Sequence, residues 1–228
     1  KGTSATRRFG RYTVELSSLD KPYFPDDGIA KGDVVDYYAV VAPLMLRHLK
    51  GRALTLHRFP DGIGEEGFYQ QAAGDYFPDW IKRAKLEKED GTVDYVVVDS
   101  AATLVYLAGQ GMVAPHLGLS RTDRIDCPDR LVIDLDPSDG DFGKVQRAAE
   151  RFHRLFRDAV IPDFVQTTGS RGLHVVVGLD RSRTFDDVRD IVRILCRKMA
   201  EKYGDELTVE QRKSKRGNRI YLDTGRNA

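Results

Sequence analysis

Apolar and polar residues alternate with two different periods along this chain. Stretches that alternate with a period of two, or that are continuously apolar between turn residues, predict strands, whereas apolar residues spaced three and four apart predict helices. The predicted strands cover residues 12–16, 54–59, 68–71, 95–98, 131–135, 164–167, 173–178 and 220–223. The predicted helices cover residues 34–48, 100–111, 142–158 and 185–203. We expect Asp33 to cap the first helix and residues 1–11 to form a mobile basic leader.

The order of these elements predicts an α+β fold. Strands and helices alternate irregularly, and several strand pairs are joined by tight turns. This arrangement favours a mixed or antiparallel central sheet flanked by helices over a regular parallel sheet. Because no interdomain linker interrupts the pattern, we expect residues 1–228 to form a single domain.

Composition narrows the class of protein. A hydrophobic share of 41% and a charged share of 31% are typical of a soluble globular protein. No apolar run approaches the ~20 residues that a membrane helix needs, so we expect no membrane partner. Two cysteines suit a reducing, cytoplasmic environment. The net charge of only +1 argues against a protein that coats DNA indiscriminately, so any nucleic acid would be held in a groove or at a strand end.

Two aspartates on one predicted strand are the first candidates for chemistry. Asp134 and Asp136 are separated by one residue, so their side chains point to the same face of the strand. Paired carboxylates repel each other unless a cation lies between them, and oxygen ligands suit Mg²⁺ or Mn²⁺. Asp223, at the end of a later strand, could complete a site for two ions that act in nucleotidyl transfer. The alternative is that Asp-Leu-Asp-Pro only caps a local turn.

A glycine-containing turn is the second candidate. Residues 167–172 are Thr-Thr-Gly-Ser-Arg-Gly, and the two glycines allow backbone amides to point at an anion. Thr168 and Ser170 add hydroxyl donors, and Arg171 adds a positive charge. His174 lies on the following strand, where the alternative is a half-buried histidine with a structural role. A turn of this composition is also a common hairpin connection.

A basic segment follows near the C-terminal end. Residues 212–219 contain five cationic side chains among eight and no acidic one. We predict a basic hairpin that contacts a phosphate backbone, with a solvated turn as the alternative.

The three motifs, in this order, resemble the archaeo-eukaryotic primase superfamily. They are Asp-Leu-Asp-Pro, Thr-Thr-Gly-Ser-Arg-Gly-Leu-His and Tyr-Leu-Asp. More specifically, the chain is similar to the polymerase domain of bacterial non-homologous end-joining ligase D, or to its stand-alone relatives. The N-terminal segment Leu-Asp-Lys-Pro-Tyr-Phe-Pro at residues 19–25 also resembles that family, so the similarity covers nearly the whole chain.

The resemblance implies a fold and an activity. The fold would be a primase-polymerase fold with an RRM-like catalytic core, divided into an N-terminal subdomain 1–115 that contacts DNA ends and a catalytic subdomain 116–228. The activity would be template-directed addition of nucleotides to a primer 3′-hydroxyl, with ribonucleotides preferred, for gap filling in DNA break repair. Mn²⁺ or Mg²⁺ would be the cofactor, and NTPs or dNTPs the substrates. The partners would be gapped or broken DNA with a 5′-phosphate, a ligase and an end-binding protein such as Ku. The protein would act in the nucleoid of a prokaryotic cell.

The resemblance also implies roles for individual residues. The catalytic and metal-binding residues would be Asp134, Asp136 and Asp223. The nucleotide-binding residues would be His116, Thr168, Ser170, Arg171, His174 and Arg226. The DNA-binding residues would be Ser18, Lys21, Lys31, Arg58, Phe68, Tyr69, Lys213 and Arg216, with Lys21 and Lys31 on the 5′-phosphate and the aromatic pair stacked on the template.

Two departures from the superfamily refine the prediction. Relatives carry a further basic segment after the third aspartate, so we expect this chain either to be truncated at its C-terminus or to be a catalytically impaired form. The chain also lacks the cysteines of the zinc module found in many replicative primases, which favours a repair polymerase.

Two other functions fit the same residues. Three aspartates also serve a metal-dependent nuclease or phosphoesterase, which would shorten strands without nucleoside triphosphates. A non-catalytic module that binds DNA ends through Lys21 and Lys31 would recognise a 5′-phosphate without incorporating nucleotides.

Overall fold

The chain forms two compact units, Lys1–Gly118 and Leu119–Ala228, in a computed structural model that describes residues 2–88 and 91–227. Each unit combines sheets with helices, so the predicted α+β fold is confirmed. Lys1, the start of the predicted leader, and Ala228 lie outside the described residues. Within the described ranges, no helix is both long enough and apolar enough to cross a membrane.

The first unit is built around one five-stranded sheet and two helices. Its strands are β1 Ala5–Phe9, β2 Tyr12–Leu16, β3 Pro22–Phe24, β4 Ile29–Ala30, β5 Ala53–Arg58, β6 Phe68–Gln70, β7 Arg83–Lys88, β8 Gly91–Val97 and β9 Met112–Leu117. Its helices are α1 Lys31–Leu49 and α2 Ala101–Gly109. Strand β5 is central: β9 pairs along one edge, while β6 and then β8 pair along the other, and β7 follows β8.

Alternation along β5 separates a buried face from an open one. Leu54 and Leu56 are almost fully buried in a core cluster that includes apolar residues of α1 and α2. Thr55 and His57 point to the opposite face because successive side chains of a strand alternate. The open face therefore presents polar and aromatic side chains from the middle of the sheet.

Two predictions about the N-terminal region are wrong. The predicted mobile leader contains β1, which pairs antiparallel with β2 from Ala5 to Phe9, and Phe9 packs against the core. Helix α1 begins at Lys31, so Asp33 is not its N-cap. Instead the Asp33 carboxylate accepts a hydrogen bond of 2.8 Å from the backbone N–H of Ala30, which satisfies a donor at the start of the helix.

The second unit has its own sheet and core. Its strands are β10 Ser120–Arg121, β11 Arg124–Pro128, β12 Arg130–Asp136, β13 Asp163–Thr167, β14 Leu173–Gly178, β15 Leu207–Thr208 and β16 Ile220–Asp223. Its helices are α3 Phe142–Asp158, α4 Phe185–Lys202 and α5 Lys213–Arg216. The five-stranded sheet has the order β13-β14-β12-β16-β15, and only the β15–β16 pair in it is parallel.

One face of this sheet is covered and the other carries the polar residues of interest. Ile133 and Leu135 of β12 join a core cluster with Phe152 of α3 and Val192 of α4. Asp134, which lies between them, and Asp136, which follows Leu135, point to the opposite face. The chain thus buries one side of its central strand and leaves the aspartates on the other.

The predicted basic hairpin is wrong. Residues 213–216 form the single helical turn α5, and the chain leaves it through Gly217, whose φ of 58° lies in the left-handed region. The backbone N–H of Lys215 bonds to the carbonyl of Arg212, so local turn hydrogen bonds replace a strand ladder.

Candidate active site

Three acidic side chains and one histidine lie on the face of the second unit's sheet that points away from its core cluster. Asp134 of β12 is the register partner of His174 on β14 and of Asp223 on β16. Asp136 lies two residues further along β12 and therefore on the same face as Asp134. Side chains directly opposite each other on neighbouring strands are close enough to interact. The sheet therefore brings together residues that are far apart in sequence.

Asp134 is the most buried of the three aspartates, with 6% of its surface exposed. Its Oδ2 lies 3.3 Å from Nε2 of His174 and accepts a hydrogen bond of 3.3 Å from Nε of Arg226. Its other oxygen, Oδ1, is buried without a hydrogen-bond partner. Burial acts to raise the pKa of Asp134, but His174 and Arg226 outweigh it, so the pKa lies below its ordinary value.

Asp136 has the opposite electrostatic surroundings. Burial raises the pKa of its carboxyl group, and the negative charges of Asp134 and Asp223 raise it further. The positive charges of Arg216 and Arg226 only partly offset this effect. The chain therefore keeps like charges together at a place where their mutual repulsion is only partly relieved.

The donor set fits a hard divalent cation. An orphaned buried carboxylate oxygen on Asp134 and a repelled carboxyl group on Asp136 are both groups that a cation would stabilise. As placed, however, no group of three or more His, Cys, Asp or Glu side chains in residues 2–88 and 91–227 is gathered closely enough to hold a metal ion. Arg226 contacts Asp134, and Asp223 accepts a hydrogen bond of 2.7 Å from the N–H of Gly225.

The glycine turn lies directly beside β12. A Cβ atom added to Gly172 would lie 2.7 Å from the carbonyl oxygen of Leu135 and 3.7 Å from Oδ1 of Asp134. Since real Cβ atoms do not approach so closely, only glycine allows this turn to reach the strand that carries the aspartates. Gly169 has a φ of 76°, which also requires glycine for an unstrained turn.

The polar side chains of this turn have different surroundings. The Thr168 hydroxyl donates to the carbonyl of Gly172 at 3.1 Å and accepts from the N–H of Ser170 at 3.3 Å, so it closes the turn. Ser170 and Arg171 are exposed. A turn with exposed hydroxyl and guanidinium groups next to carboxylates can hold the anionic part of a ligand.

The basic residues of the second unit also differ in accessibility. Arg216 is only 8% exposed, donates to the carbonyls of Glu210 and Gln211, and lies 3.7 Å above the ring of Tyr221. It therefore fixes α5 against β16. Lys213, at the start of α5, is exposed.

In the first unit, the β3–β4 pair brings Lys21 and Lys31 together. The backbone N–H of Lys31 bonds to the carbonyl of Lys21 at 2.8 Å. The Lys21 amino group bonds to the carbonyl of Pro60 and to the Asp61 carboxylate, whereas Lys31 donates to the carbonyl of Ser17 at 2.8 Å. Burial lowers the pKa of Lys31, and the charges of Lys21 and Arg58 lower it further.

Ser18 and Arg58 frame this pair of lysines. Ser18 has a φ of 54°, and its carbonyl accepts from the N–H of Lys21, so it forms the turn that leads into β3. Arg58 is 8% exposed and donates to Gln110, Gln70 and Tyr76. Its guanidinium group therefore ties β5 to neighbouring segments.

The two predicted stacking residues, Phe68 and Tyr69, are exposed on opposite faces of β6. Phe68 lies 5.4 Å from the guanidinium carbon of Arg58. Tyr69 stacks on His57, with ring centroids 4.2 Å apart and an interplanar angle of 13°. His116 of β9 meets the Tyr69 ring edge-on at 5.4 Å. Tyr69 and His116 thus share a face of the sheet, and Phe68 does not.

Sequence reasoning did not single out His57 or Asn227. Alternation along β5 was a usable signal for His57, because it places this residue on the open face. Asn227 is fully buried, accepts from the N–H of Val132 at 2.9 Å and donates to the carbonyl of Val132 at 2.6 Å. No local pattern indicates such a long-range contact.

The chain is similar to one family and to several proteins. Residues 30–228 match the family described as LigD, primase-polymerase domain. The multifunctional non-homologous end joining protein LigD of Mycolicibacterium smegmatis is 28% identical over 217 residues, which are 94% of this chain and 28% of that protein. The bifunctional non-homologous end joining protein LigD of Bacillus subtilis is 28% identical over 212 residues, which are 92% of this chain and 34% of that protein. This chain therefore spans only about a third of the length of these relatives.

A solved structure is also similar. The polymerase domain from Mycobacterium tuberculosis ligase D in complex with DNA matches with a TM-score of 0.88 and 29% identity. The match covers 94% of this chain and 78% of that chain.

Proposed function

Because the chain belongs to the LigD primase-polymerase domain family, we propose that it is a template-directed nucleotidyltransferase that extends a primer 3′-hydroxyl to fill gaps in DNA break repair. The family predicted from the sequence motifs is confirmed. The observation that carries the proposed reaction is the placement of Asp134, Asp136 and Asp223 on one face of the sheet, beside the glycine turn.

In this proposal the three aspartates hold two divalent cations, Mn²⁺ or Mg²⁺. Bound cations would lower the pKa of the primer 3′-hydroxyl and offset charge on the triphosphate. Support comes from the unpartnered Oδ1 of Asp134 and the raised pKa of Asp136, since both groups gain from a nearby cation.

The chain's own residues would orient the nucleotide. The exposed Ser170 and Arg171 would bind the triphosphate, with Thr168 holding their turn in shape. His174, whose Nε2 lies 3.3 Å from Oδ2 of Asp134, would donate to a phosphate oxygen of the nucleotide. Arg226 has its side chain 58% exposed and would share its charge between Asp134 and the substrate. His116, in the first unit, is proposed as a further nucleotide contact.

DNA is the proposed macromolecular partner. The M. tuberculosis structure is in complex with DNA, and the relatives are named for non-homologous end joining. Lys21 and Lys31, with Ser18, would bind a 5′-phosphate at a gapped or broken end. Lys213 and Arg216 would contact the DNA backbone directly or support such a contact. Arg58, Phe68 and Tyr69 would contact the template strand. We also propose a ligase and a Ku-like end-binding protein as partners, in the cytoplasmic nucleoid of a prokaryote.

Primer extension on a gapped duplex with a downstream 5′-phosphate tests the reaction. NTPs and dNTPs are compared in Mn²⁺ and in Mg²⁺, and we expect addition that follows the template base, with NTPs preferred. Asp134→Ala and Asp136→Ala should each lower the rate at least about 100-fold, because even outer-shell partners of a metal contribute 10- to 100-fold.

Three other results would contradict the proposed reaction or the roles of the aspartates. Strand shortening without nucleoside triphosphates would indicate a nuclease. Binding that requires the 5′-phosphate, with no incorporation under any condition, would indicate an end-binding module. Extension that is insensitive to both substitutions would overturn the assignment of the aspartates.

A further inference from the structure

The aromatic surface on the open face of the first unit is layered. His57 lies on the central strand β5, and its register partner on β6 is Tyr69. The two rings are nearly parallel, with centroids 4.2 Å apart. His57 is partly buried, whereas Tyr69 is 62% exposed. One face of the Tyr69 ring is therefore covered by an imidazole and the other is accessible.

His57 is itself held in place from three directions. Phe59 lies two residues further along the chain, just after the end of β5, with its ring centroid 4.4 Å from that of His57. Phe59 in turn packs on the backbone of Gly67, where an added Cβ would lie 2.4 Å from the Phe59 ring. On the other edge of β5 the register partner of His57 is Ala114, a small residue, and the His116 ring approaches to 5.9 Å. The imidazole thus has little freedom to leave its position.

The same packing limits the rotation of the Tyr69 ring. A tyrosine on an edge strand normally exchanges between rotamers, but here rotation would break the stack with His57 and the edge contact with His116. Tyr69 is thereby presented in one orientation before any ligand binds. Pre-organisation of this kind strengthens binding because the side chain loses less freedom on association.

We propose that His57 is a positioning residue, which fixes the Tyr69 ring so that a single nucleobase of the template stacks on its outer face as the third layer after imidazole and phenol. This inference rests on the proposed function, because it assumes that Tyr69 meets the template. His57 acts only through Tyr69 and does not touch the nucleic acid. The part of His57 that matters is its flat ring, so phenylalanine can replace it and alanine cannot.

The test uses the full chain and a gapped DNA with 2-aminopurine at the first unpaired template position. Fluorescence of this base is quenched when it stacks, and the titration is done without nucleoside triphosphates. Tyr69→Ala should abolish the protein-induced quenching and weaken binding at least about fivefold, which corresponds to a stacking contribution of about 1 kcal/mol or more per base. His57→Ala should reduce the quenching at saturation and weaken binding about two- to fivefold, whereas His57→Phe should restore both.

Matched controls distinguish a loss of Tyr69 positioning from a general disturbance of folding or DNA binding. Tyr37→Ala removes an aromatic side chain of similar exposure, 59%, on α1, and His48→Ala removes an exposed histidine from the same helix. Both should leave quenching and affinity unchanged, and all variants should unfold cooperatively. In steady-state extension, His57→Ala should raise KM for the DNA while kcat changes less than about twofold.

The outcomes distinguish this inference from the proposed function. His57-dependent quenching in a protein that never extends a primer would support the inference and count against polymerase activity. Extension with quenching that is the same in wild type and His57→Ala would overturn the inference alone. Failure of His57→Phe to restore quenching would also overturn it, because a flat ring would then be insufficient.

Discussion

At the scale of single residues, two carboxyl groups on one strand have opposite surroundings. The pKa of Asp134 is lowered because contact with His174 and Arg226 outweighs burial. The pKa of Asp136 is raised by burial and then by the charges of Asp134 and Asp223. The first carboxylate is therefore stabilised by the fold, and the second is kept at a cost in folding free energy.

Replacing each aspartate by asparagine should reveal this difference. Asp136→Asn removes a repelled charge, so we expect the free energy of unfolding to rise by up to about 1 kcal/mol. Asp134→Asn is the matched control and should lower it by about 1–3 kcal/mol, because His174 and Arg226 lose a charged partner. Chemical denaturation in EDTA measures both values. Equal destabilisation by the two substitutions would contradict the electrostatic account.

The effect of Asp136→Asn should also depend on pH. Because the folded-state pKa of Asp136 lies above its unfolded value, the charged carboxylate destabilises the fold at neutral pH and has no effect below both pKa values. The rise in the free energy of unfolding caused by Asp136→Asn should therefore become smaller as the pH falls from about 7 to about 4. Unfolding curves at several pH values would show it. If the gain in the free energy of unfolding from Asp136→Asn stays constant or grows as the pH falls, the folded-state pKa of Asp136 is not raised.

Lys31 gives a second prediction at this scale. Burial of its side chain lowers its pKa, and the neighbouring charges of Lys21 and Arg58 lower it further. Lys31→Met keeps the apolar stem, so stability should change by less than about 1 kcal/mol. The preference for 5′-phosphorylated over 5′-hydroxyl gapped DNA should fall about tenfold, as expected for a lost charge-assisted hydrogen bond. Anisotropy titrations measure it, with the exposed Lys198→Met as a control that should retain the preference.

At the scale of elements, hydrophobic periodicity predicted the regular segments and missed those without it. Strands β2, β14 and β16 and helix α3 have the predicted bounds. In α3, the Asp141 side chain accepts from the N–H of Gly143 and marks the start. Strand β7 was missed because its sequence, Arg-Ala-Lys-Leu-Glu-Lys, is mostly charged, and its structure depends on pairing with β8. The N-terminal strand β1, Ala-Thr-Arg-Arg-Phe, has no apolar run, and its structure likewise depends on a partner strand, here β2.

Helix α1 contains an exposed proline at position 43, well inside its bounds. Proline lacks the N–H that would complete the helical ladder and costs about 3 kcal/mol relative to alanine at such a position. Part of this is offset because proline also restricts the unfolded chain. Pro43→Ala should therefore raise the free energy of unfolding by about 1–3 kcal/mol.

Thermal and chemical unfolding would measure this change. Pro25→Ala is a suitable control, because Pro25 lies at the first position of a short 3-10 helix, where proline is favourable. The control should be neutral or slightly destabilising. A loss of stability in Pro43→Ala would show that the helix depends on the proline for its packing.

At the scale of the whole molecule, each compact unit has its own hydrophobic cluster. The cluster that contains Ile133 and Phe152 draws only on residues of the second unit, and the cluster that contains Leu54 and Leu104 draws only on the first. We expect a fragment of residues 119–228 to fold alone. Circular dichroism should show cooperative unfolding, whereas a gradual, non-cooperative loss of signal would contradict the prediction.

Topology was the part of the fold that periodicity could not supply. The sequence predicted that β12 and β16 are strands, but not that the last strand lies between β12 and β15. That Asp223 could join Asp134 was suggested by its place at a strand end and then by the family resemblance, but the pairing of the two residues across β12 and β16 depends on strand register. Local patterns carry no information about which distant strand becomes a neighbour.

The position of Asn227 has a consequence for how the protein is made. The Asn227 side chain bonds both backbone groups of Val132, from 95 residues further along the chain, and so continues the ladder of β12 beyond the end of β16. During translation, β12 leaves the ribosome long before either of these partners. The edge of β12 then stays open until synthesis reaches Asn227, and a nascent chain that stops earlier exposes an unpaired strand edge. A nascent chain on a stalled ribosome would thus present a strand edge that can pair with another chain.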